Sequence, residues 1–362
     1  MHSTSQLPRT PTAGPPRRRN AVAVVALLAL VGAACSSGTK HVASVAHHTT
    51  APAATVTVTV PPPPPTYPLT GIRATDASRL HRPVLVVKVD NAQLARPQAG
   101  LDSADVVFEE VVEGGITRLL AAYQSHDAPL VGPVRSVRPI DPQIVTPLHG
   151  LFAYSGGAPK FQALIRHAPV LDVGYDADPG AYYRDRSRVA PHNLMSSTGA
   201  LYRLASGQAA PPSLFHYLVT GQSFGGPGIA PLNGMQVVMS TRTTVDWGWN
   251  PALHLWMRGM NGTAYVNPGG AQLGVPNVIL QFASYRNTGD VDVAREPVPV
   301  ADIIGGGEAW VLSGGKLVKG RWAKPNADMV TGFTDATGAP IELAPGPTWI
   351  EIVPGGSPTI PR

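Results

Sequence analysis

The sequence holds one cysteine in 362 residues, which excludes an intramolecular disulfide framework and any Cys-x-x-Cys zinc or redox site. A chain of this length can bury a core large enough to need no such staples. Charge of one sign is also scarce. The formal net charge is +5, but Arg9, Arg17, Arg18 and Arg19 supply four positive charges within an acid-free start. The remainder is close to neutral, so the basic pI gives no reason to expect a nucleic-acid partner. No apolar run reaches the roughly 20 residues needed to span a bilayer. An HExxH helix and a Walker loop are both missing, as are internal repeats and any amphipathic segment long enough for a coiled coil. Only six residues are lysine, whereas arginine is abundant. Arginine suits bidentate recognition of phosphate or carboxylate. Ala, Gly and Pro are abundant too, however, so the positions of the arginines carry more than their number.

What is present begins with a targeting segment, residues 1–34. The positive front is followed by Ala21 to Ala34, 14 uncharged residues, the length of a signal-peptide core. Val31-Gly32-Ala33-Ala34-Cys35 resembles a bacterial lipobox, which marks Cys35 for lipidation; Gly32 stands where an aliphatic residue is usual. Residues 35–66 read as a tether, polar and then proline-rich through Pro61 to Pro65, a composition that favours extended geometry. His41, His47 and His48 lie in it, with a spacing that fits no ordinary metal site.

The chain is organised around DVVFEEVVEGGITRLLAAYQSHDAPLVGPVRSVR, Asp105 to Arg138. Two β-prone runs meet at Gly114-Gly115, a tight-hairpin signal because both turn positions need positive φ. With those two glycines as the whole turn, Val111 lies opposite Arg118. Alternation then places Glu109, Val111, Glu113, Ile116, Arg118 and Leu120 on one face, with Arg118 diagonal to both glutamates. This predicts either a structural ion network around a half-buried arginine or an anion site formed by Arg118, Arg135 and Arg138 and framed by the glutamates.

Residues 67–205 read as an α/β (or α+β) domain with a mixed sheet. Val84 to Val89 is a strand covered on both faces, ending at Asp90-Asn91. Gly132 to Arg138 predicts a further strand, Asp141-Pro142 a helix start capped by the aspartate, Leu151 to Tyr154 a strand, Pro159 to His167 a helix, and Ser196 or Ser197 the cap of a last helix. The loop Tyr182 to Asn193 is a second candidate patch. Arg184, Arg186 and Arg188 alternate and share a side if extended, with His192 as donor or general acid and Asn193 beside it. Residues 206–233, rich in Gly and Pro, read as a linker, 234–353 as a smaller mainly-β domain, and 354–362 as a tail. All six tryptophans follow the linker and are expected in the core. Gly314-Gly315 predicts a second tight hairpin.

RPVLVVKVDNAQLARPQAGLDSADVVFEEVVEGGITR, VGPVRSVRP, APHNLMSS, NVILQF, GKLVKGRWAKP and PGPTWIEIV together resemble the YerB-like bacterial lipoproteins, which have N- and C-terminal domains of unknown function in tandem. The resemblance spans about Pro68 to Val353. It carries over Glu109, Glu113, Gly114, Gly115, Arg118, Arg135, Arg138, Arg184, His192 and Asn193, and implies an anchored, extracytoplasmic cell-envelope protein without an established reaction. Tyr154 and Ala158 depart from the family's histidine and serine around the glycine pair. A similarity in style only, arginines on adjacent strands, links the chain to the LytR-CpsA-Psr envelope proteins.

Three functions follow. The first is a non-catalytic binding or accessory module for a wall glycopolymer or a wall-synthesis protein, held at the outer face of the cell membrane through Cys35, or secreted if the lipobox is not processed. The second is a phosphoryl or glycosyl-phosphate transferase, in which Arg118, Arg135 and Arg138 clamp a pyrophosphate and Glu109, Asp90 or His192 supplies acid/base catalysis. The third, a glycan hydrolase using Glu109 and Glu113, is disfavoured because Arg118 would keep both acids ionised. No cofactor is implied, and a divalent metal enters only with the transferase.

Overall fold

The computed structural model describes residues 64–219, 221–357 and 359–362. The leader, Cys35 and nearly all of the tether lie outside the described residues. The described residues form one compact unit. Its beginning is tied down earlier than the expected tether end, since Thr66 bridges Arg73 and Ala74 N–H donates to the Pro65 carbonyl.

The main element is a twelve-stranded mixed sheet. From the first half of the chain come β1 (Leu85–Asp90), β2 (Val106–Val111), β3 (Thr117–Tyr123), β4 (Leu151–Ala153) and β5 (Leu171–Asp172). Every residue of β1 is buried, as an apolar run covered on both faces requires. It runs antiparallel to β3 and parallel to β4. The second half is nearly all strand: β6 (Gly234–Val238), β7 (Thr244–Asn250), β8 (Leu255–Met260), β9 (Asn277–Val291), β10 (Pro297–Asp302), β11 (Gly305–Ser313), β12 (Lys316–Lys324), β13 (Gly332–Thr334), β14 (Thr348–Pro354) and β15 (Thr359–Pro361).

The order across the large sheet is β13-β12-β11-β9-β14-β2-β3-β1-β4-β5. Strand β14, from the end of the chain, is parallel to both β9 and β2. The halves on either side of 206–233 therefore share one sheet, and this segment does not separate two sheets. The expected tail is also structured in part, since β15 pairs with β6.

Side chains of one face of the large sheet (Val87, Val107, Leu119, Leu280, Trp349) pack against the smaller sheet of β6, β7 and β8. A single helical turn, α1 (Ala77–Leu80), precedes β1. The opposite face (Val86, Leu120, Ile350, Ile352) packs against helices α2 (Asp141–Val145) and α3 (Pro159–Arg166). Among the described residues no helix is long and apolar enough to cross a membrane. Trp247, Trp256, Trp322 and Trp349 are buried, and Trp249 and Trp310 are half-buried against the core.

Two local expectations are corrected. Gly132 to Arg138 is no continuous strand: Val134 bridges Val89 and Gly132 bridges Ala99, and Pro133 between them has no N–H for a ladder. Asp141 is inside α2 and does not cap it; Ile140 is the boundary residue, and the carboxylate is drawn elsewhere. The last short helix, Thr198–Tyr202, is capped by Ser197, whose side chain accepts from Ala200 N–H.

Candidate functional site

The turn between β2 and β3 fixes the site. The ladder pairs Val111 with Thr117 and Glu110 with Arg118, and Val112 N–H donates to the Ile116 carbonyl. Glu113, Gly114 and Gly115 together form the turn, with both glycines at positive φ. The loop is one residue longer than a glycine pair alone would make it, so the register slips by one. Because side chains alternate, that slip sends Glu109 to the opposite face from Arg118. The turn is held where the β6–β7 hairpin meets it: Ser240 and Thr243 hydroxyls both donate to the Gly115 carbonyl.

On the face toward the small sheet, Glu109 is fully buried. Arg258 from β8 donates to its Oε2, as does Trp349 Nε1 at 3.1 Å, while Thr117 Oγ1 at 2.6 Å and Asn91 Nδ2 at 3.2 Å donate to Oε1. The Arg258 guanidinium lies 4.1 Å from the Tyr265 ring centre and 4.6 Å from that of Trp349. Glu351, directly beside Glu109 on β14, accepts from Trp247 Nε1 at 3.1 Å. Burial, then the adjacent Glu109 charge, raises the Glu351 carboxyl well above the usual range. For Arg258, burial opposes the charge, but Glu109, Tyr265 and Glu351 outweigh it. This network is closed off from solvent, so Glu109 does not reach the other face, and its ion-pair partner is Arg258 and not the expected Arg118.

The other face is open. Arg118, Arg135 and Arg138 line a single cleft of about 450 Å³ together with Glu113, Ser136, Gly157, Ala158, Phe161, Pro191 and a wall from the β9–β10 hairpin, Val291, Asp292, Val293 and Val298. Three guanidiniums face two carboxylates. Arg138 Nε is 2.5 Å from Glu113, whereas Arg118 Nη2 stands 3.8 Å away from it. Arg118 is 5% exposed, yet its one hydrogen bond is a 3.3 Å donation to the Ser136 carbonyl, and its Nε has no partner among the described residues. Burial and the positive charge of Arg138 pull this guanidinium down to about 10, with Glu113 opposing. It remains charged at neutral pH, and a desolvated cation with so few acceptors favours an incoming anion. Helix α3 begins at the same wall with no side chain capping its first turn, so its N–H dipoles add to the positive field.

Behind the cleft, Asp90 joins two of the expected residues. Its Oδ2 is 3.2 Å from Arg135 Nε and 2.7 Å from His192 Nδ1. Asp90 itself is 1% exposed and serves to orient both neighbours. The rest of the second patch is elsewhere. Tyr183–Arg184 is a two-residue strand and the chain then turns, so the alternation of arginines is broken. Arg184 donates to Asn193 Oδ1 at 2.8 Å, Arg188 turns inward to the Ala95 and Pro97 carbonyls, and Arg186 is exposed. None of these three arginines, nor Asn193, lines the cleft. Tyr154 is buried and donates to Asp172 at 2.7 Å, while Ala158 reaches the cleft wall.

Sequence reasoning did not single out Lys88, Glu110, Arg258 or Glu351, and read Asp141 only as a helix cap. Lys88 is fully buried and bonds to Glu110 and to Asp141, whose other oxygen accepts from Arg138 N–H at 2.7 Å. Burial raises Glu110 to about 7, against the pull of Lys88. The signal was a lysine inside the run VLVVKV, since a charge in a doubly covered strand must have partners. Among the described residues no cluster of three or more His, Cys, Asp or Glu side chains could hold a metal ion.

Comparison with known proteins agrees with this architecture. Residues 69–210 match the family model described as Protein of unknown function (DUF3048) N-terminal domain, and 235–350 match its C-terminal domain. The Bacillus subtilis (strain 168) protein named "Putative lipoprotein YerB" is 29% identical over 299 residues, covering 79% of this chain and 86% of that protein. The crystal structure of the YerB protein from Bacillus subtilis superposes with a TM-score of 0.69 at 24% identity, covering 82% of this chain and 99% of the other, which establishes a shared fold. With both domain models matched in tandem along most of its length, the chain belongs to the DUF3048 family, the YerB-like proteins of unknown function.

Proposed function

We propose that this is a lipid-anchored protein of the cell envelope that binds an anionic group, a phosphate or phosphodiester of a wall glycopolymer, in the arginine cleft without transforming it. The observation that carries the reading is Arg118: a buried guanidinium with one 3.3 Å hydrogen bond, at the floor of an open cleft that Arg135 and Arg138 also line. The anchor rests on the lipobox-like Val31 to Cys35, with the name of the Bacillus relative in support. Glu113 pairs with Arg138 and, more distantly, with Arg118, and an anion with better geometry takes over the donors it leaves unused.

The test is thermal stabilisation of residues 61–362 by inorganic pyrophosphate. Binding raises Tm, since a ligand at about 100 times Kd contributes about 2.7 kcal/mol. Arg135→Ala, on the partly exposed rim, abolishes the shift while leaving the unliganded Tm within a few degrees. No shift at millimolar pyrophosphate removes the anion site.

One observation favours a second reading, phosphoryl transfer. His192 is held by Asp90 next to Arg135, the arrangement of an oriented general acid. Release of inorganic phosphate from a diphosphate ester, lost in His192→Asn with pyrophosphate binding retained, would establish it. Binding without turnover leaves the first reading.

A further inference from the structure

The cleft is larger and less polar than an inorganic anion needs. At about 450 Å³ it falls among pockets that enclose a small organic ligand, about 300–1,000 Å³. Its floor is cationic, but its outer wall is the end of the β9–β10 hairpin, where Val291 is 61% exposed and Val293 is fully exposed. Phe161, Ala158 and Pro191 continue the apolar lining on the other side. Isolated valines on a surface need no explanation. These two instead stand on the rim of the one cleft, among those found in the described residues, that three arginines line.

The hairpin is also built to stay there. The β9–β10 register shifts between Asn287 and Val291, Asp292 closes the tip by accepting from Glu296 N–H through its side chain and donating its own N–H to the Glu296 carbonyl, and Lys160 of α3 pairs with Asp290 across the cleft. A charged floor and an apolar lip, braced to each other, make an amphipathic site.

Resting on the anion-binding reading above, we infer that the ligand is an amphiphile: a phosphate or pyrophosphate head seated on Arg118, Arg135 and Arg138, with a hydrocarbon chain leaving past Val291 and Val293. The wall component recognised is therefore its lipid-linked phosphate end, not a phosphodiester within a free polymer. The head supplies charge-assisted hydrogen bonds to the arginines. The first few methylenes cover valine side chains that are otherwise in water, and burying each one tightens binding about fourfold.

The experiment compares inorganic pyrophosphate with farnesyl pyrophosphate, below its aggregation concentration, by calorimetric titration into residues 61–362. Farnesyl pyrophosphate is expected to bind at least about tenfold more tightly, the effect of two buried methylenes. The double variant Val291→Ser, Val293→Ser removes most of that advantage, with a loss several-fold larger for the farnesyl compound than for pyrophosphate, while Arg135→Ala weakens both ligands. Circular dichroism and the unliganded Tm verify that each variant is folded. Equal affinity for the two ligands, or equal losses for both in the valine variant, overturns the amphiphile and leaves the anion site standing. Tight binding of the farnesyl compound that survives Arg135→Ala overturns it as well, since the chain alone would then be the determinant. Failure of both ligands to bind defeats the anion reading itself.

Discussion

The two faces of the β2–β3 ribbon use the same materials to opposite ends. Each sets a glutamate from DVVFEEVVEGG against a guanidinium. Toward the small sheet, Glu109 accepts four hydrogen bonds, and its arginine is sandwiched by aromatic rings without any exposed surface. Toward the helices, Glu113 reaches two arginines imperfectly, and Arg118 keeps an unpartnered nitrogen. Among the described residues both arginines keep unpartnered nitrogens, Nε and Nη1 in Arg258 and Nε in Arg118. What differs is access: aromatic rings enclose Arg258, whereas Arg118 borders an open volume that a ligand can enter. Enclosure, not residue type, separates the two.

The sharpest way to break this contrast is at the sealed network. Arg258→Met leaves the Glu109 charge buried with only neutral donors, beside the Glu351 carboxyl, and removal of one member of a buried pair costs about 3–5 kcal/mol. Chemical denaturation is expected to show that loss, with part of it restored by adding Glu109→Gln. A cost below about 1 kcal/mol would mean that this face is no more committed to stability than the cleft.

A smaller effect is expected at Lys88, Glu110 and Asp141, behind the cleft. The folded-state value for Glu110 lies above the ordinary 4.5, at about 7, chiefly through burial. Its contribution to stability is therefore complete below about pH 4.5 and is lost as the pH rises through about 7. Relative to the parent, Glu110→Gln should gain stability across that window, read from denaturation midpoints at a series of pH values. A difference independent of pH would remove Glu110 as the titrating group.

The smallest and most informative change is Glu113→Gln. Without ligand, the three arginines lose their internal counter-charge at a cost of about 1 kcal/mol. With pyrophosphate present, the competing carboxylate is gone and affinity rises several-fold, about 1 kcal/mol by the same measure. Weakened pyrophosphate binding instead would show that Glu113 shapes the site for the anion and does not merely hold its place.

How far the sequence could be read is clearest at its two glycine pairs. Gly314-Gly315 was expected to make a two-residue hairpin, and it does: Ser313 pairs with Lys316 and both glycines have positive φ. Gly114-Gly115 carries the same signal, but there Glu113 joins the turn. At Gly315 an added Cβ would meet Trp249 at 2.6 Å, and at Gly115 it would meet the Ser240 hydroxyl at 3.0 Å, so each turn is pressed against its surroundings. The first packs on Trp249. The second is positioned by Ser240 and Thr243 from a hairpin over a hundred residues away, and no local pattern contains that contact. The arginines of GPVRSVR were legible as a cluster because they sit three apart beside the ribbon. Arg258 was not, because only the packing of the small sheet brings β8 to Glu109.

By itself the sequence determined most of the strands, the buried run of β1, the second hairpin and the proximity of Arg118, Arg135 and Arg138, because these follow from alternation, local turn chemistry and short separations along the chain. It also contained the family resemblance. Only the tertiary structure decided that the two halves share a sheet, that Glu109 faces inward and that the cleft has an apolar lip. The reason is physical: a one-residue change of register inverts every side chain of a strand, and pairing between distant strands is selected by the whole core, not by any segment within it.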